Sequence, residues 1–113
     1  MPTLEKRSNG QVEVVHLTNR LDATNAPEVR QEIDSLLGQG RNRLALNLDR
    51  VSFVDSSGLS VFVHAVKTAR AAGGNVNLIH PSPAVRSVLE LTRLSRILEI
   101  WDDEPSAILA LAQ

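Results

Sequence analysis

The sequence predicts an α/β domain, on three observations. Short apolar runs alternate with longer segments of helical period, the pattern of strands and helices that follow one another along the chain. A length of 113 residues suffices for one aliphatic core and leaves no room for a second, so residues 1–113 are read as a single domain. The chain has no cysteine, so that core must hold without disulfides or thiolate-bound zinc.

Thr3 to Lys6 can form a short first strand, and Val12 to Leu17, rich in β-branched residues, a second. A helix should begin at Asn25, whose side-chain oxygen can accept from backbone N–H groups that have no partner within the helix. Glu28, three residues on, has the spacing of a capping box. Val29, Ile33, Leu36 and Leu37 then line one apolar face, and Gly38 or Gly40 supplies the stop. In Arg43 to Leu48, Leu44, Leu46 and Leu48 alternate with Ala45 and Asn47, the period of a strand.

A second helix runs from about Ser57 to Ala72, with Leu59, Phe62, Val66 and Ala69 on its apolar side and Ser60, His64 and Lys67 on the opposite one. Gly73-Gly74 ends it, and Val76 to Ile79 is the next strand. The helix between Leu48 and Val76 is long enough for a crossover, so these two strands should be parallel neighbours. A third helix follows Ser82-Pro83 and uses Val85, Val88 and Leu89. Ile97 to Trp101 is a last strand, and the final helix follows Asp103 and Pro105 with Ile108, Leu111 and Ala112 as its apolar edge.

Composition excludes several functions. A formal charge of -1 offers no general attraction for nucleic acid or an anionic membrane. Phe53, Phe62 and Trp101 are the only aromatic residues, which leaves no platform on which bases could stack. Met1 to Gly10 carries Glu5, Lys6 and Arg7 and does not read as a secretory signal. No segment approaches the roughly 20 apolar residues that span a bilayer. The expectation is a cytoplasmic protein that neither binds nucleic acid nor inserts into a membrane.

Chemistry concentrates in Val51 to Leu59, where an apolar segment leads through Asp55-Ser56-Ser57-Gly58 into the second helix. Asp and Ser cap helices, and Gly58 permits a tight turn, so one reading is purely structural. The other is that a serine hydroxyl displayed at a positive helix end, beside a carboxylate, is a place where phosphate could be added or bound. A serine hydrolase does not fit, because Val54 stands where a nucleophile elbow at Ser56 would need its first glycine. His16, His64 and His80 have no metal-box spacing, and Gly73-Gly74 closes a helix instead of opening one, so neither a metal nor a nucleotide cofactor is expected.

At this segment the sequence resembles the STAS domain family, and within it the stand-alone anti-sigma factor antagonists of bacteria. The likeness rests on Arg20-Leu21-Asp22-Ala23-Thr24-Asn25-Ala26-Pro27-Glu28, on Leu46-Asn47-Leu48-Asp49, and on Val51-Ser52-Phe53-Val54-Asp55-Ser56-Ser57-Gly58-Leu59. Ala69 to Gly74 and Ser82 to Thr92 extend it, in the same order, over nearly the whole chain. The resemblance implies a small mixed β-sheet of four to five strands with about four α-helices, mostly on one face. It also implies a regulatory binding protein, not an enzyme, that takes part in partner switching in transcription regulation. In such antagonists the first serine after the aspartate is phosphorylated by an anti-sigma factor that is itself a serine kinase. The unphosphorylated form binds that kinase and frees the sigma factor, and a serine phosphatase resets the switch.

Carried over by position, the phosphoacceptor is Ser56. Arg20, Asp22, Thr24, Asn25, Asp55, Ser57, Gly58 and Ser60 would form the docking surface. Apart from the resemblance, the polar stripe Ser60, His64 and Lys67 reads either as a solvated helix face or as additional partner contact. Asn19, Ser60 and Arg93 stand where the family often has glycine. An alternative of a different class is a STAS regulatory subunit of a membrane transport system, in which Ser56 only caps a helix. Binding of a nucleotide or small anion at the same helix end is a third.

Overall fold

The computed structural model describes residues 4–113. Thr3, assigned to the first strand, lies outside them. The chain forms β1 (Leu4–Asn9), β2 (Val12–Leu21), α1 (Ala26–Gly38), β3 (Arg43–Val54), α2 (Ser56–Ala71), β4 (Asn75–Ile79), α3 (Pro83–Leu91), a 3₁₀ turn (Leu94–Arg96), β5 (Glu99–Trp101) and α4 (Glu104–Ala112).

The five strands lie side by side in chain order. β1 and β2 form an antiparallel hairpin, and β2, β3, β4 and β5 run parallel, with Leu44 opposite Val76 and Leu46 opposite Leu78. Because each parallel crossover advances one strand in the same direction and such crossovers are right-handed, α1, α2 and α3 must share one face. They do: Val29 and Ile33 of α1, Phe62 and Val66 of α2 and Val85 and Leu89 of α3 close over Leu44, Leu46 and Leu48 in one buried cluster. Fully burying a Leu, Ile or Phe stabilises by about 1.5–3 kcal/mol, so this cluster is the main source of fold stability.

α4 is not a crossover, and it folds over the opposite face. Its Ala107 and Leu111 join Val12, Val14, Ala45 and Ile79 in a second, smaller cluster, flanked by the half-buried Trp101. Ala112, expected on the apolar edge, is exposed, and the buried positions are Leu111 and, one turn before it, Ala107. Polar contacts secure this helix. Glu104 accepts from Asn47 Nδ2 at 2.8 Å, stands 3.3 Å from His16 Nε2 and pairs with Arg7. Burial, then the guanidinium groups of Arg7 and Arg50, holds the His16 imidazole below its ordinary pKa. Asn77 Nδ2 donates to the Ala107 carbonyl at 3.0 Å, while Asn77 Oδ1 and Trp101 Nε1 are buried without a partner among the described residues.

Several elements depart from expectation for local reasons. β2 and β3 run on to Leu21 and Val54, past the expected Leu17 and Leu48, because the ladder absorbs register shifts between His16 and Thr18 and between Asn19 and Arg20. Asn19 sits at φ 65°, a left-handed geometry that asparagine tolerates. The pairing continues, but side-chain alternation is lost, which removes the period that marks a strand. β5 is shorter than Ile97 to Trp101, since Arg93 at φ 61° leads into the 3₁₀ turn and leaves Ile97 exposed at its end. On α2, Val61 and Ala65 are buried, whereas Leu59 packs only against the edge of the core.

Candidate functional site

The site is built where the carboxyl ends of β2 and β3 meet. Leu21 lies opposite Val54, and the Asp55 N–H donates to the Leu21 carbonyl at 3.2 Å. From this seam one strand leads through a short loop into α1, and the other passes directly into α2.

At the start of α2, Asp55 is the cap. Its backbone is extended, and its Oδ1 accepts from the N–H groups of Ser57 at 2.8 Å and Gly58 at 3.1 Å. Ser56 is the first residue of the helix; it is exposed, and its hydroxyl has no hydrogen-bond partner among the described residues. Ser57 is half-buried, and Ser60, one turn beyond Ser56, is exposed. Gly58 is buried: a Cβ there would stand 2.7 Å from the Leu21 carbonyl oxygen and 2.8 Å from Val54 Cγ1. Gly58 therefore offers no side chain to a partner. Its place is a packing one, which lets α2 close against the strand ends.

The loop before α1 is held by its own side chains. Asp22 accepts from the Thr24 N–H at 3.0 Å and from the Thr24 hydroxyl. Those bonds, foremost that from the hydroxyl, hold the Asp22 carboxyl below the usual carboxylate range. Asn25 occupies the position before the helix but makes no side-chain cap bond, so the expected capping of the helix N–H groups is not formed. Its Oδ1 accepts from the Asp22 N–H at 2.9 Å, and its Nδ2 donates to the Arg20 carbonyl at 2.6 Å. Arg20 Nε reaches Asp22 at 3.0 Å, and its guanidinium lies over the Phe53 ring, 5.2 Å from the centroid.

The structure thus brings Arg20, Asp22, Thr24, Asn25, Asp55, Ser56, Ser57 and Ser60 to one end of the sheet. It divides the supposed stripe along α2: His64 Nε2 lies 2.6 Å from Asp34 on α1, so this residue ties two helices together, while Lys67 is exposed. Two features were not anticipated. Phe53, 45% exposed, stands beside the site although an aromatic residue in an apolar run reads as core. Between α1 and α2 lies an open groove of about 400 Å³, lined by Ala23, Ala26, Pro27, Arg30, Ser57, Ser60 and Val61. Among the described residues no three His, Asp or Glu side chains converge as a metal ion would require, and no helix is long and apolar enough to cross a membrane.

Comparison with known proteins agrees with this architecture. The family model described as "STAS domain" matches residues 3–107. The chain is 33% identical to the anti-sigma-B factor antagonist of Bacillus subtilis over 86 residues, which cover 76% of this chain and 78% of that one. It superposes on the crystal structure of TM1081 from Thermotoga maritima with a TM-score of 0.93 at 29% identity, covering 97% of this chain and 95% of the other. With the Bacillus cell fate determinant SpoIIAA in its phosphorylated form the TM-score is 0.74 at 26% identity, over 93% and 96% of the two chains. In sequence, strand order and helix placement alike, the chain belongs to the STAS domain family.

Proposed function

We propose that the protein is an anti-sigma factor antagonist whose Ser56 is a phosphorylation switch. Unphosphorylated, it binds an anti-sigma factor that is a serine kinase and so releases the sigma factor. That kinase transfers phosphate to Ser56, which ends binding, and a serine phosphatase restores the hydroxyl. The observation that carries this reading is Ser56 itself, whose exposed hydroxyl, on the first residue of a capped helix, has no partner among the described residues. The likeness to an anti-sigma-B factor antagonist and to a protein solved in a phosphorylated form supports it.

The local electrostatics explain why phosphate would act on a partner and not on the fold. Phosphate adds about -1.5 to -2 charges and three strong acceptors. A free helix N-terminus would welcome it by about 0.3–1 kcal/mol. Here the Asp55 carboxylate already takes the N–H groups of Ser57 and Gly58 and is itself negative, so the dianion gains little from α2 and faces outward. A surface shaped for a neutral hydroxyl must then bury an unpaired charge, which costs about 2–5 kcal/mol.

The test is incubation with the candidate serine kinases of the same genome, followed by mass spectrometry and binding measurements. Phosphate is expected on Ser56. Ser56→Ala should take none and still bind, and Ser56→Asp should bind at least about tenfold more weakly. Phosphate on another residue, or unchanged binding of Ser56→Asp, would overturn the proposal.

A further inference from the structure

The groove between α1 and α2 has walls of one chemistry and a single exception. Ala23, Ala26, Pro27 and Val61 are apolar, Ser57 and Ser60 are neutral, and Arg30 is the only charged residue that lines it. Arg30 is exposed and has no hydrogen bond or ion pair among the described residues. Arg7, Arg20, Arg41 and Arg86 by contrast each meet a carboxylate, and Arg70 donates to the Ile97 carbonyl; the side chains of Arg50, Arg93 and Arg96 make no such bond among the described residues either, but they do not line this groove. A guanidinium presents a planar fork of donors suited to a carboxylate, and this one stands at the edge of a small apolar cleft.

We infer that this groove receives an acidic side chain carried by the anti-sigma factor, and that Arg30 is the cation which pairs with it. The inference rests on the function proposed above and names the chemistry that the partner must present there. The groove continues the Ser56 face, because Ser60 on its wall is one helical turn from Ser56, where side chains stand about 5–6 Å apart at Cβ. It is open to solvent and offers one guanidinium and two hydroxyls, too few fixed donors to enclose a small free anion. An Asp or Glu held on a docked protein needs only that one partner, since the rest of the interface supplies the binding energy.

The arrangement also gives the switch its sign. With Ser56 neutral, the partner carboxylate meets only Arg30. With phosphate on Ser56, one helical turn from Ser60 on the groove wall, that carboxylate docks beside a dianion. Like charges brought together across an interface oppose binding strongly, so the modification works against the docking that Arg30 favours.

The experiment measures binding of the purified anti-sigma factors of the same genome, by calorimetry at two salt concentrations, to the wild type and to Arg30→Lys, Arg30→Ala and Arg30→Glu. Arg30→Ala should weaken binding about tenfold and Arg30→Glu about a hundredfold, while Arg30→Lys stays within about threefold. The salt dependence seen with the wild type should shrink in Arg30→Ala. Melting temperatures should change little, because Arg30 is exposed and its side chain makes no hydrogen bond or ion pair among the described residues. Should Arg30→Glu melt lower, the pair Arg30→Lys and Arg30→Ala decides alone. A wild type that binds while Arg30→Ala and Arg30→Glu bind equally well overturns the inference and leaves the Ser56 switch standing. A wild type that binds no anti-sigma factor overturns the functional reading itself and the inference with it.

Discussion

At the start of α2, the carboxylate of Asp55 turns inward along the helix and satisfies two of its free N–H groups. At the start of α1, Asn25 holds the corresponding position, yet its amide turns away and joins Asp22 to Arg20. Asp and Asn are equally good cap formers, so residue type does not explain the difference. What differs is the chain before the helix. α2 leaves β3 without a loop, and its first-turn N–H groups are within direct reach of the Asp55 carboxylate. α1 follows a loop whose main-chain groups would otherwise be unpaired, and Asn25 has both an acceptor and a donor to give them. One start is a rigid platform for a serine, and the other is a loop braced by its own side chains.

The seam joining these two starts is the most sensitive point. Alanine normally improves a helix over glycine by about 1 kcal/mol. At position 58 its Cβ would press on Leu21 and Val54, and overpacking of that kind costs about 1–3 kcal/mol. Gly58→Ala should therefore lower stability in urea denaturation; a gain would mean that the strand ends can part to admit a methyl group.

Asp55→Ala and Asn25→Ala sharpen the contrast directly. Each should lose about 1 kcal/mol, the first as a helix cap and the second as two loop hydrogen bonds. Amide hydrogen exchange separates them. Asp55→Ala should expose the N–H groups of Ser57 and Gly58, whereas Asn25→Ala should expose that of Asp22. If Asn25→Ala instead frees the first turn of α1, the two starts work alike.

The smallest effect concerns pH. Since folding lowers the Asp22 pKa, its contribution is present above the ordinary carboxylate value and is lost as pH falls through the lowered one. The Thr24 amide resonance should therefore move in acid, below the usual carboxylate range, and should not do so in Asp22→Asn. A Thr24 transition at ordinary carboxylate pH would show that the loop is not braced in solution.

Much of the fold was legible because its signals were periodic. The alternation of Leu44, Leu46 and Leu48 marks the core face of β3, and the glycines after α1 and α2 stand where those helices stop. Legibility failed where geometry broke the period. The shifted pairing around Thr18 and Asn19 hides β2 beyond Leu17 and the second half of β3, and with it the exposure of Phe53. In the candidate site, Ser56 and Asp55 are visible as a pattern at a helix start. Gly58 is not, since a glycine in sequence shows neither the carbonyl nor the valine methyl that crowds it. Arg30 carries no local signal at all: it looks like any polar residue of an amphipathic helix until α2 is laid beside it.

The chain has one tryptophan, and it lies half-buried beneath α4, across the sheet from α1, α2 and α3. Its indole thus gives the protein a built-in optical label with a specific field of view. Peeling of α4 would wet the ring and move its emission to the red, while events at the edges of α1 and α2 would leave it dark to change. Fluorescence of the unmodified protein can accordingly distinguish a domain that has docked from one that has begun to come apart.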